Sequence, residues 1–401
     1  MLSVVEKPNF IHVNDICVLD GNPGKAGVTT LWCKGYFCYL YGGILMKIEI
    51  QKAAVLKPKP ADTDVLGFGK IFTDHMLLID YAQGKGWHGA RVVPHGPLSL
   101  DPATCCLHYG QLIFEGLKAY HAPDGRAVLF RPEQNIKRLN ISAERMCIPE
   151  IDERYALDAL LELIKTERDW IPKAPGTSLY IRPFIIGTEA FLGVHPSASY
   201  TLCVILSPSG SYYSGGMSPV KIHVEEEYVR AVRGGTGVAK NAGNYAASLA
   251  SQVKAQAQGY DQVLWLDGVE RRYIEEVGAM NIFFVIDGQV LTPQLNGAIL
   301  SGITRSSVLE LLKSWGVPTS ERKISIEEVA DAHAHGKLQE VFGTGTAAVI
   351  APVGTLRYKD KVMGIGGGDV GPIAKRLYDT LTGIQTCRLP DPFGWVVAVG
   401  E

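Results

Sequence analysis

One lysine stands in a segment of unusually small residues, at positions 234–248 (GGTGVAKNAGNYAAS). Four glycines and several alanines leave little side-chain bulk beside the amine of Lys240, and Tyr245 follows five residues later. Apolar surroundings disfavour the charged form of an amine, and a neutral amine is the form that attacks a carbonyl to make a Schiff base. An exposed lysine beside a flexible glycine loop is the alternative that this segment alone leaves open.

Two adjacent carboxylates, Glu275 and Glu276, form a second candidate within YIEEVGAMNIFF (273–284). They lie between apolar residues, just before a run that is typical of a buried strand. A buried carboxylate needs a partner. A cationic ring nitrogen of a cofactor would be one such partner, and a neighbouring arginine would be another.

Backbone and hydroxyl groups supply the remaining parts. In ILSGITRSSVL (299–309) a helix start is predicted, and its free N–H groups at Ile303 and Thr304 suit a phosphate, although an ordinary N-cap also fits. In VFGTGTAA (341–348) a strand runs into a turn that carries the Thr346 hydroxyl. A reactive lysine, a buried acid, a phosphate-binding helix end and such a turn are together what a pyridoxal phosphate enzyme needs.

The elements that must position these residues follow an α/β pattern. Apolar residues at helical spacing predict helices near 153–171, 245–257, 304–315 and 372–384. Short β-rich runs predict strands at 179–187, 200–207, 219–224, 262–266 and 280–286. Residues 207–217 are rich in Pro, Ser and Gly, which indicates a loop between two domains.

We therefore predict two α+β lobes with a cleft between them, where small-molecule sites usually lie. The smaller N-terminal lobe would span residues 46–206, and the larger C-terminal lobe residues 218–401. Residues 1–45 are predicted to be an extra segment outside the fold, because chain ends are commonly loose.

Composition excludes several classes of function. The 401 residues carry 39 Lys+Arg against 41 Asp+Glu, so no basic face for nucleic acid is predicted. The apolar run from Gly35 to Met46 has 12 residues, fewer than the roughly 18–20 that span a membrane. None of the eight cysteines forms a C-x-x-C, and His333 and His335 would face different sides of a helix, so no metal site is predicted. We expect a cytoplasmic protein with reduced thiols.

From about Lys59 to the C-terminus the sequence resembles the branched-chain amino acid aminotransferases, which are fold-type IV pyridoxal phosphate enzymes. Eight segments match in order: FGKIFTDHM (68–76), LHYGQLIFEGLKAY (107–120), LFRPEQNIKRL (129–139), SLYIRP (178–183), the Lys240 segment, EEVGAMN (275–281), SGITR (301–305) and FGTGTAA (342–348). The resemblance implies a substrate pocket in the first lobe and pyridoxal 5'-phosphate bound by the second. It implies amino transfer between leucine, isoleucine or valine and 2-oxoglutarate. A D-amino acid aminotransferase or an aminodeoxychorismate lyase is the alternative within this fold.

The resemblance also implies roles for single residues around the cofactor. Lys240 would form the Schiff base with the cofactor and later carry the proton, Glu276 would pair with the pyridinium nitrogen, and Tyr245 would bond to the ring oxygen. The phosphate would be held by a group of four residues with help from a fifth: Arg138, Ile303, Thr304 and Thr346, assisted by Arg230. For Arg230, a solvated surface arginine is the other interpretation.

On the substrate side the matching positions are mostly aromatic. The pocket would be formed by Phe68, Tyr109, Phe114, Tyr180 and the backbone near Ala279 and Ala347. Arg182 would meet the second carboxylate of glutamate. Ordinary core packing is the alternative for these aromatic residues. Family members are at least homodimers, in which a loop of the partner subunit completes the cleft.

Overall fold

The computed structural model describes residues 17–19, 29–33, 36–41, 44–61, 65–210 and 217–400, with side chains from residue 47 onward. It contains the following helices: α1 Cys105–His108, α2 Pro132–Arg145, α3 Glu153–Thr166, α4 Ala242–Ala246, α5 Leu249–Ala257, α6 Ile303–Ser314, α7 Ile326–Ala334 and α8 Pro372–Gln385. Among the residues so described, no helix has the length and apolar character needed to cross a bilayer.

The strands divide between two sheets. Those of the first half of the chain are β1 Cys17–Leu19, β2 Thr29–Cys33, β3 Tyr36–Tyr41, β4 Ile44–Ile50, β5 His75–Ala82, β6 Gly86–Pro94, β7 Leu112–Phe114, β8 Leu117–His121, β9 Ala127–Phe130, β10 Ser178–Gly187 and β11 Ser199–Ser209. Those of the second half are β12 Val220–Val224, β13 Gln262–Leu266, β14 Ile274–Val277, β15 Asn281–Ile286, β16 Gln289–Pro293, β17 Thr319–Arg322, β18 Leu338–Gly345, β19 Val349–Tyr358, β20 Lys361–Gly364 and β21 Val396–Ala398.

The first lobe is a mostly antiparallel sheet covered by two helices. Its strand order is β1-β2-β3-β4-β6-β5-β11-β10-β8-β9-β21, with β7 paired to β10. Helix α3 begins where the Asp152 side chain accepts a hydrogen bond from the N–H of Tyr155, and it packs Leu157, Leu160 and Ile164 into the core of this lobe. The helix predicted near 153–171 is therefore confirmed over Glu153–Thr166, with apolar residues facing the core.

The second lobe is built on a mixed sheet of order β14-β13-β12-β19-β18-β15-β16-β17, with β20 paired to β19. Strand β12 runs parallel to both β13 and β19, whereas β15 and β18 are antiparallel. Together, the two sheets and their helices confirm the predicted α/β class. The β18–β19 hairpin brings the turn at residues 346–348 to the edge of the cleft.

The boundary between the lobes differs from the predicted one at two places. Residues 207–209 belong to strand β11 rather than to the loop, and residues 211–216 lie outside the described residues. Strand β21 pairs with β9 of the first sheet, so the chain returns to the first lobe after completing the second. Linear sequence patterns carry no information about such a return, because it depends on pairing with a distant strand.

Most of the predicted extra segment, residues 1–45, lies outside the described residues. Its described parts nevertheless differ from the expectation of a segment outside the fold. Strands β1, β2 and β3 form an antiparallel series that joins β4, and β4 pairs in parallel with β6. These strands therefore extend the first sheet at its edge.

Candidate active site

Lys240 lies where the two lobes meet. Its backbone N–H donates to the Ser142 hydroxyl of α2 at 2.9 Å, and its carbonyl accepts from the N–H of Phe114 at 2.9 Å. Asn241 then caps α4 by accepting from the N–H of Asn244. The small residues of this segment let its backbone approach the first lobe closely. Both the N–H and the carbonyl of Lys240 are therefore hydrogen-bonded to that lobe.

The amine of Lys240 is held by aromatic groups. Its Nζ donates to the Tyr245 hydroxyl at 2.5 Å and lies 4.8 Å from the centre of the Phe114 ring. Burial lowers the pKa of Lys240 to about 8, and the nearby Arg138 charge contributes to that lowering. At neutral pH about one tenth of such an amine is uncharged, compared with well under ~0.1% of an ordinary lysine. The arrangement thus favours a nucleophilic amine.

A cavity of about 740 Å³, which includes its open mouth, surrounds this amine. Nine of the residues singled out from the sequence line it: Phe68, Phe114, Tyr180, Arg182, Lys240, Tyr245, Ala279, Thr346 and Ala347. A smaller adjoining cavity shares Lys240, Tyr245 and Ala279 and is also lined by Arg230 and Glu276. The two spaces together form one candidate active site between the lobes.

Glu276 lies on β14 at the inner end of this site and is buried. One carboxylate oxygen accepts from the N–H of Leu300 at 3.0 Å, and the other is 2.6 Å from Nε of Arg230. Burial raises the pKa of Glu276, while the Arg230 charge and the Leu300 hydrogen bond oppose that rise. The carboxylate can therefore accept a further hydrogen bond from a cationic group in the cavity.

Arg230 lies beside Glu276 instead of beside Arg138. Its guanidinium also donates to the carbonyl of Ala298. Because Arg230 is buried, it does not occupy the solvated surface position. Its assistance at the phosphate stays a prediction. The spacing of ten residues before Lys240 could not reveal this partner, because Glu276 lies on strand β14, which is distant along the chain.

Arg138 forms a buried ion pair with Glu115, a residue that sequence reasoning did not single out. The guanidinium makes two bonds to that carboxylate, at 2.7 and 2.9 Å, and a third to the carbonyl of Ser301 at 3.0 Å. Burial acts to raise the pKa of Glu115, but the charge and hydrogen bonds of Arg138 outweigh it and hold that pKa below its usual range. An acid between apolar residues in LIFEGL was the available signal.

The contact with Ser301 places Arg138 at the start of α6. Gly302 is the residue before that helix, and the N–H groups of Ile303 and Thr304 belong to its first turn. A side chain at residue 302 would collide with Asn281, because an added Cβ would lie 1.9 Å from its amide oxygen. A guanidinium and free N–H groups at one helix end form an arrangement that suits a phosphate.

The aromatic wall of the cavity consists of Phe114 on β7, Tyr180 on β10 and Phe68 in the segment before β5. Tyr180 packs edge-on against Phe68 at 4.9 Å, and the Arg182 guanidinium lies 5.0 Å from the Phe114 ring. Arg182 also donates to the Tyr180 hydroxyl at 3.2 Å, while its Nε has no hydrogen-bond partner among the described residues. The wall therefore combines apolar surface with one buried donor that a ligand carboxylate could satisfy.

Tyr109 is the one predicted pocket residue that the structure places elsewhere. Its hydroxyl donates to the carbonyl of Leu192, its ring packs near Phe191, and 45% of its surface is exposed. Tyr109 is not among the residues of its own chain that line the Lys240 cavity. Sequence matching assigned the residue to a pocket, but could not say whether that pocket belongs to the same chain.

The chain matches the family model described as Amino-transferase class IV over residues 112–356. It is 58% identical to branched-chain-amino-acid aminotransferase 2 of Bacillus subtilis over 352 residues, which is 88% of this chain and 97% of that protein. It is 50% identical to the branched-chain-amino-acid aminotransferase of Mycolicibacterium smegmatis, with 82% of this chain and 91% of that protein covered.

Solved structures give the same result. The branched-chain amino acid aminotransferase of Escherichia coli is similar with a TM-score of 0.66 at 27% identity, over 82% of this chain and all of that one (100%). The T.th. branched-chain amino acid aminotransferase complexed with N-(5'-phosphopyridoxyl)-L-glutamate has a TM-score of 0.66 at 28% identity, over 81% of this chain and 98% of that one.

Proposed function

Because the chain belongs to the branched-chain amino acid aminotransferases of class IV, we propose that it uses the cavity around Lys240 to move an amino group reversibly between leucine, isoleucine or valine and 2-oxoglutarate. The D-amino acid aminotransferase and lyase alternatives are not favoured by these relatives. The observation that carries the proposal is the placement of an amine with a lowered pKa in a cavity that also contains a buried acid.

The residues around the cavity fit pyridoxal 5'-phosphate. The buried Arg138 and the first turn of α6 supply positive charge for a phosphate, and the buried Glu276 supplies a carboxylate for a ring nitrogen. The charge of Arg138 acts on both Lys240 and Glu276. When bound, the cofactor supplies a carbonyl carbon for amine attack and an electron-withdrawing ring that stabilises a carbanion.

Lys240 acts twice in this proposal. Its neutral Nζ would hold the cofactor covalently, and once free it would take the proton from the α-carbon of the amino acid and deliver it to the cofactor carbon that carries the amino group. Tyr245 keeps its proton over the physiological range, because burial raises its pKa to about 12. The Tyr245 hydroxyl therefore orients Nζ through the 2.5 Å hydrogen bond without exchanging protons itself.

The charged residues hold the two ends of the cofactor. Glu276 would accept a hydrogen bond from the protonated ring nitrogen, and the charge of Arg230 opposes the rise in the pKa of that carboxyl that burial causes. Arg138 would hold the phosphate together with the N–H groups of Ile303 and Thr304 and the hydroxyl of Thr346. Because Glu115 fixes the guanidinium of Arg138 through two bonds, little side-chain entropy is lost when the phosphate binds.

The pocket wall accounts for the two kinds of substrate. Phe68, Phe114 and Tyr180 present apolar surface to a branched aliphatic side chain, where each methylene changes binding by about 1–3 kcal/mol. Arg182 meets the second carboxylate of glutamate, using its unsatisfied Nε. The backbone near Ala279 and Ala347 binds the carboxylate that all these substrates share.

Substitution of the lysine tests the proposal. Wild-type protein reconstituted with pyridoxal phosphate should convert leucine and 2-oxoglutarate to the 2-oxo acid of leucine and glutamate, whereas Lys240→Ala should lose the activity while keeping its melting temperature near that of the wild type. Lys254→Ala is the matched control, because Lys254 is an exposed lysine on α5 that pairs with Glu227. Retained leucine–glutamate exchange in Lys240→Ala would contradict the role of the lysine.

We further propose that the protein is at least a homodimer and is cytoplasmic. Support for the dimer comes from a patch of exposed apolar residues near Tyr109: Leu107 is 60%, Leu192 78% and Val194 89% exposed. Support for a reducing compartment comes from the five cysteines whose side chains the structure describes, all of which are free thiols. Sedimentation of the wild type and of Val194→Asp tests the interface, and the variant should be monomeric. Cell fractionation tests the location.

A further inference from the structure

Lys118 is a buried lysine for which neither the family motifs nor the proposed chemistry gives a role. It lies on β8 directly opposite Tyr180 of β10, and only 9% of its surface is exposed. Its Nζ donates to the carbonyl of Ala347 at 2.8 Å, a contact between residues 229 positions apart in the chain. The lysine of the first lobe therefore holds a turn of the second.

The turn that it holds separates two cavities. Ala347 and Ala348 line the Lys240 cavity on one side, and on the other they line a space that is bordered by Lys118, Tyr120 and Gln385. No carboxylate among the described residues borders that second space or pairs with Lys118. Burial lowers the pKa of Lys118 to about 8, so the amine is still mostly protonated at neutral pH. Its charge is thus directed at a peptide carbonyl.

The turn itself is not in a relaxed conformation. Val349, which follows it, has a φ of 62°, a left-handed conformation that β-branched residues rarely adopt. Such a conformation is unfavourable and persists only where surrounding contacts fix it. The hydrogen bond from Lys118 to Ala347 is one contact that fixes this turn, on the side that faces away from the Lys240 cavity.

We infer that Lys118 is a positioning residue for carboxylate binding: its ammonium holds the 346–348 turn and polarises the peptide between Ala347 and Ala348. A carbonyl bonded to a cation makes the N–H of the same peptide a stronger donor. The positive charge thereby strengthens a donor of the turn that faces the substrate, although the ammonium of Lys118 does not itself line the Lys240 cavity. The inference rests on the proposed function, in which the turn receives the carboxylate shared by all substrates.

Binding of a substrate analogue without an amino group tests this role directly. The holoenzyme is titrated with 4-methylvalerate, which carries the carboxylate, and with its neutral amide, 4-methylvaleramide, by calorimetry. Lys118→Met should weaken 4-methylvalerate binding about tenfold and leave amide binding nearly unchanged. Lys118→Arg should restore most of the affinity. Lys361→Met, on the exposed strand β20, is the control and should behave as wild type.

Kinetic constants provide a second measurement. Lys118→Met should raise KM for leucine about tenfold with a smaller change in kcat, because the lysine acts on binding and not on proton transfer. Equal weakening of acid and amide, or less than threefold weakening of the acid, would overturn the inference. If Lys118→Met does not fold, Lys118→Gln is measured against the same threshold. Loss of transamination in the wild type would contradict the proposed function instead.

Discussion

At the scale of single residues, neighbouring groups of the same type have different tasks. Glu275 and Glu276 are adjacent on β14, so their side chains point to opposite faces of the sheet. Glu275 accepts a hydrogen bond from Asn296, whereas Glu276 lines the cavity with Lys240. The two residues are of the same type, and the face of the strand decides which carboxylate meets a ligand.

Substitution of these two acids separates their roles. Glu276→Gln should lower kcat for leucine by about 100-fold, which corresponds to ~2.7 kcal/mol, because a neutral amide does not hold a protonated ring nitrogen. Glu275→Gln is the matched control on the opposite face and should change kcat less than about threefold. Steady-state kinetics with saturating cofactor is the measurement. Equal losses in both variants would show that Glu276 has only a structural role.

The lowered pKa of Lys240 predicts how cofactor capture depends on pH. Only the neutral amine attacks, so the initial rate at which apo-enzyme captures pyridoxal phosphate should rise about tenfold per pH unit below 8 and level off above it. Stopped-flow absorbance measures this rate. A rate that continues to rise beyond pH ~10 would mean that the amine titrates as an ordinary lysine.

At the scale of elements, the strands of the first lobe bring the aromatic wall to the cleft by close packing. Gly116 lies between β7 and β8, and a Cβ there would be 2.2 Å from the Tyr180 hydroxyl. The absence of a side chain at residue 116 therefore sets the position of Tyr180. The tyrosine in turn accepts the hydrogen bond from Arg182.

A methyl group at residue 116 should disturb the pocket without affecting the fold elsewhere. We expect Gly116→Ala to lower kcat/KM for leucine at least about tenfold, because Tyr180 must move to relieve the collision. Adding Tyr180→Phe removes the hydroxyl that collides and should recover part of the loss. Gly96→Ala is the control, because nothing lies within 4 Å of a Cβ at that position. No recovery in the double variant would contradict the steric explanation.

At the scale of the whole molecule, the two lobes are joined by a shared apolar cluster. Tyr120 and Phe130 of the first sheet pack with Phe283 of the second and with Leu377 and Ile384 of α8. After α8 the chain brings Trp395 onto Phe130, with ring centres 5.5 Å apart, and the N–H of Arg131 donates to the Trp395 carbonyl at 2.7 Å. The residues around Trp395 thus stabilise the packing of the two lobes that form the cleft.

Truncation at the two ends should therefore have unequal effects. A chain that ends at Gly394 loses the buried Trp395 and strand β21, which should destabilise it by about 3–5 kcal/mol. Deletion of residues 1–45 should leave activity and melting temperature nearly unchanged, because the retained part of β4 still includes the buried Ile48. Thermal melting and activity are measured for both. A large loss on deleting 1–45 would show that the edge strands support the catalytic body.

The sequence by itself determined the chemistry and most of the local structure. The small residues around Lys240, the apolar neighbours of Glu276 and the stripe of α3 are local patterns, and local patterns reflect the backbone and burial preferences of nearby residues. Only the tertiary structure decided which distant groups meet. In the folded chain Arg230 pairs with Glu276, and Glu115 pairs with Arg138. Tyr109 lies outside the cavity of its own chain. Lys118 donates a hydrogen bond to the carbonyl of Ala347. These contacts depend on how sheets and lobes pack together, and the spacing of residues along the chain does not contain that information.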